Sequence, residues 1–450
     1  MNIKNKATTI HLFSLKTPQM RAFHMTWLAF FLCFFGWFGI APLMPIVRAD
    51  LGLTKAQIGN TIIASVAITI VVRLIIGWVC DRFGPRLTYT GLLILGSLPV
   101  MGIGLAHDYT SFLLFRLAIG AIGASFVITQ FHASLMFAPN IIGTANATTA
   151  GWGNLGGGVT QIAMPLLLAA FVFFGASEAL GWRLAMIVPG VALILAGIAY
   201  YFLTTDAPNG NFSELRRTGE IESVEKSKGL FWQACRDRRV WALALVYAAC
   251  FGVELTIDNI AALYFFDTFG LSVGMAGVVA SCFGLMNLFA RPLGGIISDR
   301  MMQRDGLRGR VLFLFCVLFL EGLALMLFSR MTVLPLAVAT LVLAGLFVKM
   351  SNGATYAVVP FVNRRSLGSV AGIVGAGGNF GAMLFGFLFK AEALSWPTAL
   401  LILGGTVTVL SFSALAVRFS RADEKATAAE ITIRLPVAEA TPRLAGVGND

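Results

Sequence analysis

Two arginines stand where a charge is expensive. Arg73 opens the stretch Arg73-Leu74-Ile75-Ile76-Gly77-Trp78-Val79-Cys80-Asp81-Arg82, and Arg291 opens Arg291-Pro292-Leu293-Gly294-Gly295-Ile296-Ile297-Ser298-Asp299-Arg300. Arg, Gly, Asp and Arg fall at the same offsets in both, and each copy ends a long apolar run. The trailing Asp-Arg marks where the chain leaves that run. The leading Arg lies about two helical turns inside it, where a charge costs roughly 2.5–3.5 kcal/mol on insertion scales. The same expense in matching places points to a use: two fixed positive charges facing one anion. A guanidinium is planar, always charged and offers forked donors, so it suits planar oxyanions better than an ammonium does.

Other polar residues recur at helical spacing. Tyr247, Phe251, Glu254 and Asp258 fall at i, i+4, i+7 and i+11, one stripe of a helix. They are polar or aromatic where lipid-facing positions would be aliphatic, so the stripe faces a cavity. An intramembrane acid is a functional candidate by default. Burial favours the neutral form of a carboxyl, which makes Glu254, Asp258 and His132 candidate proton carriers. The competing reading is that the acids only offset the arginines. Glu321 and Lys349 are expected to pair structurally, and Arg116 to serve structure rather than binding. Two glycine-rich segments, Gly151-Trp152-Gly153-Asn154-Leu155-Gly156-Gly157-Gly158 and Gly375-Ala376-Gly377-Gly378-Asn379-Phe380-Gly381-Ala382, share Gly-Asn-x-Gly. Small residues let helix backbones approach closely in lipid. Asn154 and Asn379 add an amide able to donate to an anion, with Gly153 and Gly378 beside them.

The elements that position these groups are membrane helices. Of 450 residues, 57% are hydrophobic and 12% charged, about half the soluble norm, and mean hydropathy is +0.82. Twelve apolar spans are expected near 27–47, 58–80, 88–106, 111–136, 145–174, 183–203, 241–266, 273–297, 310–330, 332–357, 367–390 and 397–417. All must be helices, because open sheet edges cannot be satisfied in lipid. The fold class is therefore all-α. The organisation reads as a cytoplasmic segment 1–26, a six-helix bundle 27–203, a cytoplasmic loop 204–240, a second bundle 241–417 and a disordered cytoplasmic tail 418–450. The arginine pattern recurs about 218 residues on, matching the half-length. That is the signature of two parallel repeats with a midplane site between them. Lys and Arg concentrate in the loops at Arg82 and Arg86, at 204–240, at Arg300–Arg310 and at Arg364–Arg365, which places those loops and both termini in the cytoplasm. The first apolar run lacks a small-residue cleavage site and reads as a span, not a removable signal. The net charge of +11 sits in loops and reports topology rather than nucleic-acid binding. Six scattered cysteines and four unclustered histidines give no disulfide framework, metal site or cofactor. No nucleophile–base set suggests an enzyme.

Gly77-x-x-x-Asp81-Arg82-Phe83-Gly84-Pro85-Arg86 resembles the loop 2–3 motif of the major facilitator superfamily, and Arg116-x-x-x-Gly120 its fourth-helix motif. The two glycine segments and the Arg73/Arg291 pair are similar to the signatures of its nitrate/nitrite porter family. Phe361-Val362-Asn363-Arg364-Arg365-Ser366-Leu367-Gly368 and Phe251-Gly252-Val253-Glu254-Leu255 resemble the high-affinity nitrate transporter branch. The resemblance covers about residues 20 to 418. It implies that Arg73 and Arg291 clamp the anion from opposite halves, that Phe126 and Phe251 sandwich it, and that Tyr247 donates a hydroxyl nearby. It also implies that span five packs on span eight and span eleven on span two. Asp81, Arg82, Asp299 and Arg300 would pair between helix ends as a cytoplasmic gate.

The substrates so implied are nitrate and nitrite, taken across the inner membrane for nitrate assimilation by a monomer in the lipid bilayer. Moving an anion against an inside-negative potential costs about 2.3 kcal/mol per 100 mV. Nitrate cannot itself carry a proton at physiological pH, so a symporter must protonate the protein. Proton-coupled symport is the favoured reading. The alternatives are nitrate/nitrite antiport and a carrier for another small anion.

Overall fold

The computed structural model describes residues 5–138, 141–220, 230–362, 367–420 and 423–424. Within these residues, twelve helices are long and apolar enough to cross a membrane: α1 Pro18–Leu51, α2 Lys55–Gly77, α3 Pro85–Leu105, α4 Tyr109–Met136, α5 Ala145–Phe173, α6 Glu178–Leu203, α7 Arg238–Phe269, α8 Val273–Met302, α9 Arg304–Phe328, α10 Leu334–Val358, α11 Gly372–Lys390 and α12 Trp396–Ala416. Among the described residues there is no strand. The first helix begins well before the expected residue 27, because the Thr17 hydroxyl caps it by accepting from Met20 N–H. Residues 18–26 are thus part of the first helix.

The duplication seen in sequence is built into the turns. Gly52 after α1 and Gly270 after α7 are left-handed, with φ of +62° and +64°. Two residues later Thr54 and Ser272 cap α2 and α8 by accepting from Gln57 and Met275 N–H. Both pairs have the spacing that separates Arg73 from Arg291. The turns between second and third helices match as well. Gly84 has φ +85° and faces the Asp206 carboxylate; Gly306 has φ +67° and faces the Glu424 carboxylate.

α1 and α7 are the most buried helices, while α3, α6 and α12 expose Leu95, Leu195, Phe202 and Val409, as lipid-facing helices do. The two halves meet where side chains are small. α5 lies against α8, and a Cβ on Gly284 would fall 2.4 Å from Gly158 Cα. α11 lies against α2, where Gly59 abuts the Lys390 backbone. On the face away from the termini, Arg48 holds Asp267 through two hydrogen bonds of 2.8 and 2.6 Å. Trp396 Nε1 also donates to Asp267, and Lys55 Nζ donates to the Leu394 carbonyl while lying over the Trp396 ring. These groups border a cavity of about 70 Å³. That far face is closed by contacts between halves.

Part of the long connection is docked rather than free. Asp206 accepts from the backbone N–H of Arg86 and of Phe212, and Arg216 donates to the Arg82 carbonyl. Phe212 and Leu215 are buried with Leu135 and Ala207.

Candidate functional site

Arg73 and Arg291 are both buried, at 8% and 7% exposure, and enter one cage of aromatic rings at the join of the halves. α4 tightens into a 3-10 turn over Gly120–Ala124. The tighter turn leaves carbonyls free for outside donors. Gly120 O accepts from Thr69, and Gly123 O from Arg73 Nη2 at 3.4 Å. Arg73 Nη1 donates across the join to Gly375 O of α11 at 3.2 Å, and Asn379 Nδ2 reaches the same carbonyl at 3.4 Å. Arg291 Nη2 donates to Tyr247 Oη at 3.2 Å. Arg73 Nε and Arg291 Nη1 are buried without a protein partner. Each half therefore offers the cage one free guanidinium donor.

The rings form a continuous series. Phe126 and Tyr356 meet edge-on at 6.2 Å, Tyr356 and Tyr247 edge-on at 5.0 Å, and Tyr247 and Phe251 stack at 5.0 Å and 4°. The Arg73 guanidinium lies 5.4 Å from the Phe126 centroid, and that of Arg291 lies 6.0 Å from Phe251. Such distances suit cation–π attraction. Gly378 makes room for this: a Cβ there would come within 2.7 Å of Phe251 and 2.8 Å of Tyr247.

A second cluster lies about one helical turn from the cage, toward the far face. Three helices build both. α7 supplies Tyr247 and Phe251 to the cage and Glu254 to the cluster. α8 supplies Arg291 and, four residues away, Asn287. α10 supplies Tyr356 and then Asn352 and Lys349. Glu254 accepts from Asn287 Nδ2 at 2.9 Å and from Asn352 Nδ2 at 2.6 Å. Lys349 Nζ sits 2.8 Å from Glu254 Oε1, as an ion pair off the hydrogen-bond axis. Glu254 and Lys349 are both wholly buried.

The expected Glu321–Lys349 pair is therefore corrected. Lys349 closes on Glu254, and neither Glu321 oxygen finds a donor. Spacing along α9 and α10 could not show that the lysine turns toward α7. Asp258 is buried with its carboxylate near Gly157 of α5. His132 is not brought to the cage. Its ring nitrogens meet Tyr200 Oη and the Thr205 carbonyl, so the neutral ring is saturated. Gly153 packs on Phe30 of α1, one ring behind Phe126. Asn154 is buried with both amide atoms unpartnered, and shares a helix face with Gly151 and Gly158, which touch α8. Arg116 is buried too, donating to Trp37 O and across the join to Asn259 Oδ1, each at 3.0 Å.

Arg82 and Arg300 are exposed at the face that carries the termini, and the Asp81 and Asp299 side chains lie outside the described residues. Residues 363–366 of the Phe361–Gly368 motif, and the tail from 425, are likewise outside them. Sequence reasoning missed Tyr356, Asn287 and Asn352. The spacing of Lys349, Asn352 and Tyr356, at i, i+3 and i+7 on an apolar helix, was the available signal.

The Major Facilitator Superfamily model matches residues 26–305 and 254–446. The chain is 40% identical over 405 residues to "High affinity nitrate transporter 2.5" of Arabidopsis thaliana, covering 90% of this chain and 80% of that one. It is 30% identical over 465 residues to "Nitrate/nitrite transporter NrtP" of Nostoc punctiforme, covering 88% and 91%. Among solved structures, a bacterial homolog of the human lysosomal transporter Spinster, in an inward-facing and occupied conformation, superposes with a TM-score of 0.68 at 18% identity, over 89% of this chain and 98% of that one.

Proposed function

The chain belongs to the Major Facilitator Superfamily, and within it to the family of the high-affinity nitrate transporters; from that premise we propose that it carries nitrate, and nitrite with it, across the cytoplasmic membrane by alternating access. It acts as a carrier and not as an enzyme. The observation that carries the reading is the cage, where Arg73 Nε and Arg291 Nη1, one from each half, remain free to donate. A planar anion between them would satisfy both donors and take two charge-assisted hydrogen bonds. The rings of Phe126, Tyr356, Tyr247 and Phe251 restrict the gap to a thin, flat ion. Because each half supplies one arginine, the anion is gripped only while the halves converge on it.

Both termini are cytoplasmic, by the excess of Lys and Arg in the loops on that side. The closed far face is then the external one. Asp81, Arg82, Asp299 and Arg300, at the cytoplasmic helix ends, form the inner gate that holds the inside closed in the outward-open state. Asp81→Ala is expected to impair transport while leaving nitrate binding largely intact; lost binding would count against the gate.

Uptake is driven by protons. An inside-negative membrane opposes the anion by about 2.3 kcal/mol per 100 mV, and the buried carboxyl cluster beside the cage offers groups that take a proton. Reconstitution into proteoliposomes decides the matter. An imposed proton gradient without internal anion should drive nitrate in; uptake that needs internal nitrite would replace symport by exchange. Exchange is the second reading, and the closure of Glu254 on Lys349 favours it, since a paired carboxylate need not titrate. The carrier works as a monomer.

A further inference from the structure

The acid that the cluster leaves unpaired is Glu321. It is wholly buried on α9, and neither of its oxygens meets a donor. The Ser351 hydroxyl lies beside the Glu321 carboxyl and is a neutral donor near it, though it is not aligned on either oxygen. A buried carboxylate without a donor costs far more than the neutral acid in the same place. Glu254 is the opposite case, with two amide donors and an ammonium. One lysine therefore faces three buried acids: Glu254, which it contacts, Glu321 on α9, and Asp258, one turn further along α7. The charged groups within reach of Glu321 are Lys349 on α10 and Glu254 on α7, with the Cys250 thiol of α7 beside it. α12, which packs on α9 at Gly322, carries no titratable side chain.

We propose that Glu321 is the proton-binding group of the transporter, and that Lys349 reports its state to the anion cage by exchanging carboxylate partners. With a proton on Glu321, Lys349 stays on Glu254 and neutralises it. Arg291, four residues from Asn287, is then free to hold nitrate. When the proton leaves to water, the new carboxylate on Glu321 attracts Lys349. Glu254 is left ionised within reach of Arg291 and competes with nitrate for that guanidinium. Proton and anion are thus held together and released together. One proton moves between water and the Glu321 carboxyl, and no other bond changes. The assignment rests on the symport reading.

The test compares wild type with Glu321→Gln, which keeps the shape of the protonated acid. In proteoliposomes the variant should retain nitrate–nitrate counterflow and nitrate affinity. It should lose gradient-driven accumulation at least about tenfold, and its uptake should no longer depend on pH. Wild-type accumulation with an unchanged variant would overturn the role of Glu321 and leave symport standing. No accumulation by wild type would overturn symport itself, and this role with it. If Glu321→Gln loses counterflow too, infrared spectra of wild type and Glu321→Asp decide. A carboxylic C=O band that responds to nitrate in wild type and shifts in Glu321→Asp supports the assignment; an identical band in both overturns it.

Discussion

Arg73 and Arg291 occupy matching places in the two halves but rest on different chemistry. One turn from Arg73 toward the far face stands Thr69, bonded to the Gly120 carbonyl, with the Trp37 ring packed beside it against Gly123. The matching turn from Arg291 holds Asn287, which donates to Glu254 in a cluster with Lys349 and Asn352. Arg73 is held by two backbone carbonyls, which cannot change charge. Arg291 is held by a tyrosine next to a cluster that can. On the proposed reading, a duplicated scaffold has diverged into a fixed grip and an adjustable one. The halves still agree at the periphery, in their left-handed turns and helix caps.

The largest effect expected from this asymmetry is at Glu254. Removing one partner of a buried ion pair costs about 3–5 kcal/mol, because the other charge is left uncompensated. Glu254→Ala should therefore sharply lower the thermal unfolding midpoint in detergent. Thr69→Val, at the matching place in the first half, removes one hydrogen bond worth about 1 kcal/mol. Pairing Glu254→Gln with Lys349→Met should recover most of the loss. Equal midpoints for Glu254→Ala and Thr69→Val would break the comparison.

The second effect tests what the arginines share. Arg73→Lys and Arg291→Lys keep the charge and lose the planar fork. A hydrogen bond to a charged group is worth about 1.5–3 kcal/mol, so each change should raise the nitrate Kd roughly 10- to 150-fold. Both should abolish high-affinity uptake. Near-normal affinity in either would refute planar recognition in that half.

How much of this was legible follows from what sequence periodicity can resolve. The repeated Arg pattern and the Tyr247–Asp258 stripe were legible because each lies on one helix. The partner of Lys349 was not, because it depends on how α10 is turned relative to α7 and α9. Gly153 and Gly378 looked equivalent for the same reason. Gly378 touches the cage rings, whereas Gly153 touches Phe30. Alanine at either site overpacks a ring contact, at about 1–3 kcal/mol. Only Gly378→Ala should also weaken nitrate binding, since it displaces Tyr247 and Phe251. Isothermal titration on both variants separates the cases, and equal loss of affinity would place Gly153 in the site.

The smallest expected effect lies where the halves agree most. Asp206 is 2% exposed beneath Gly84 and accepts two backbone N–H groups. Glu424 approaches Gly306 in the same manner but is only half-buried. Truncating Asp206 leaves Arg86 and Phe212 N–H groups unpaired, at about 1–3 kcal/mol, while Glu424→Ala should fall within about 0.5 kcal/mol. Burial holds the Asp206 carboxyl above its ordinary value of 3.8, against the opposing pull of the Phe212 and Arg86 N–H groups. The folded state then binds this proton more tightly than the unfolded chain. Its contribution to stability is greatest in acid and declines as pH rises from about 3.8 through the raised value. Asp206→Asn should flatten that decline. Unfolding midpoints against pH would show whether the buried acid of the first half sets the slope.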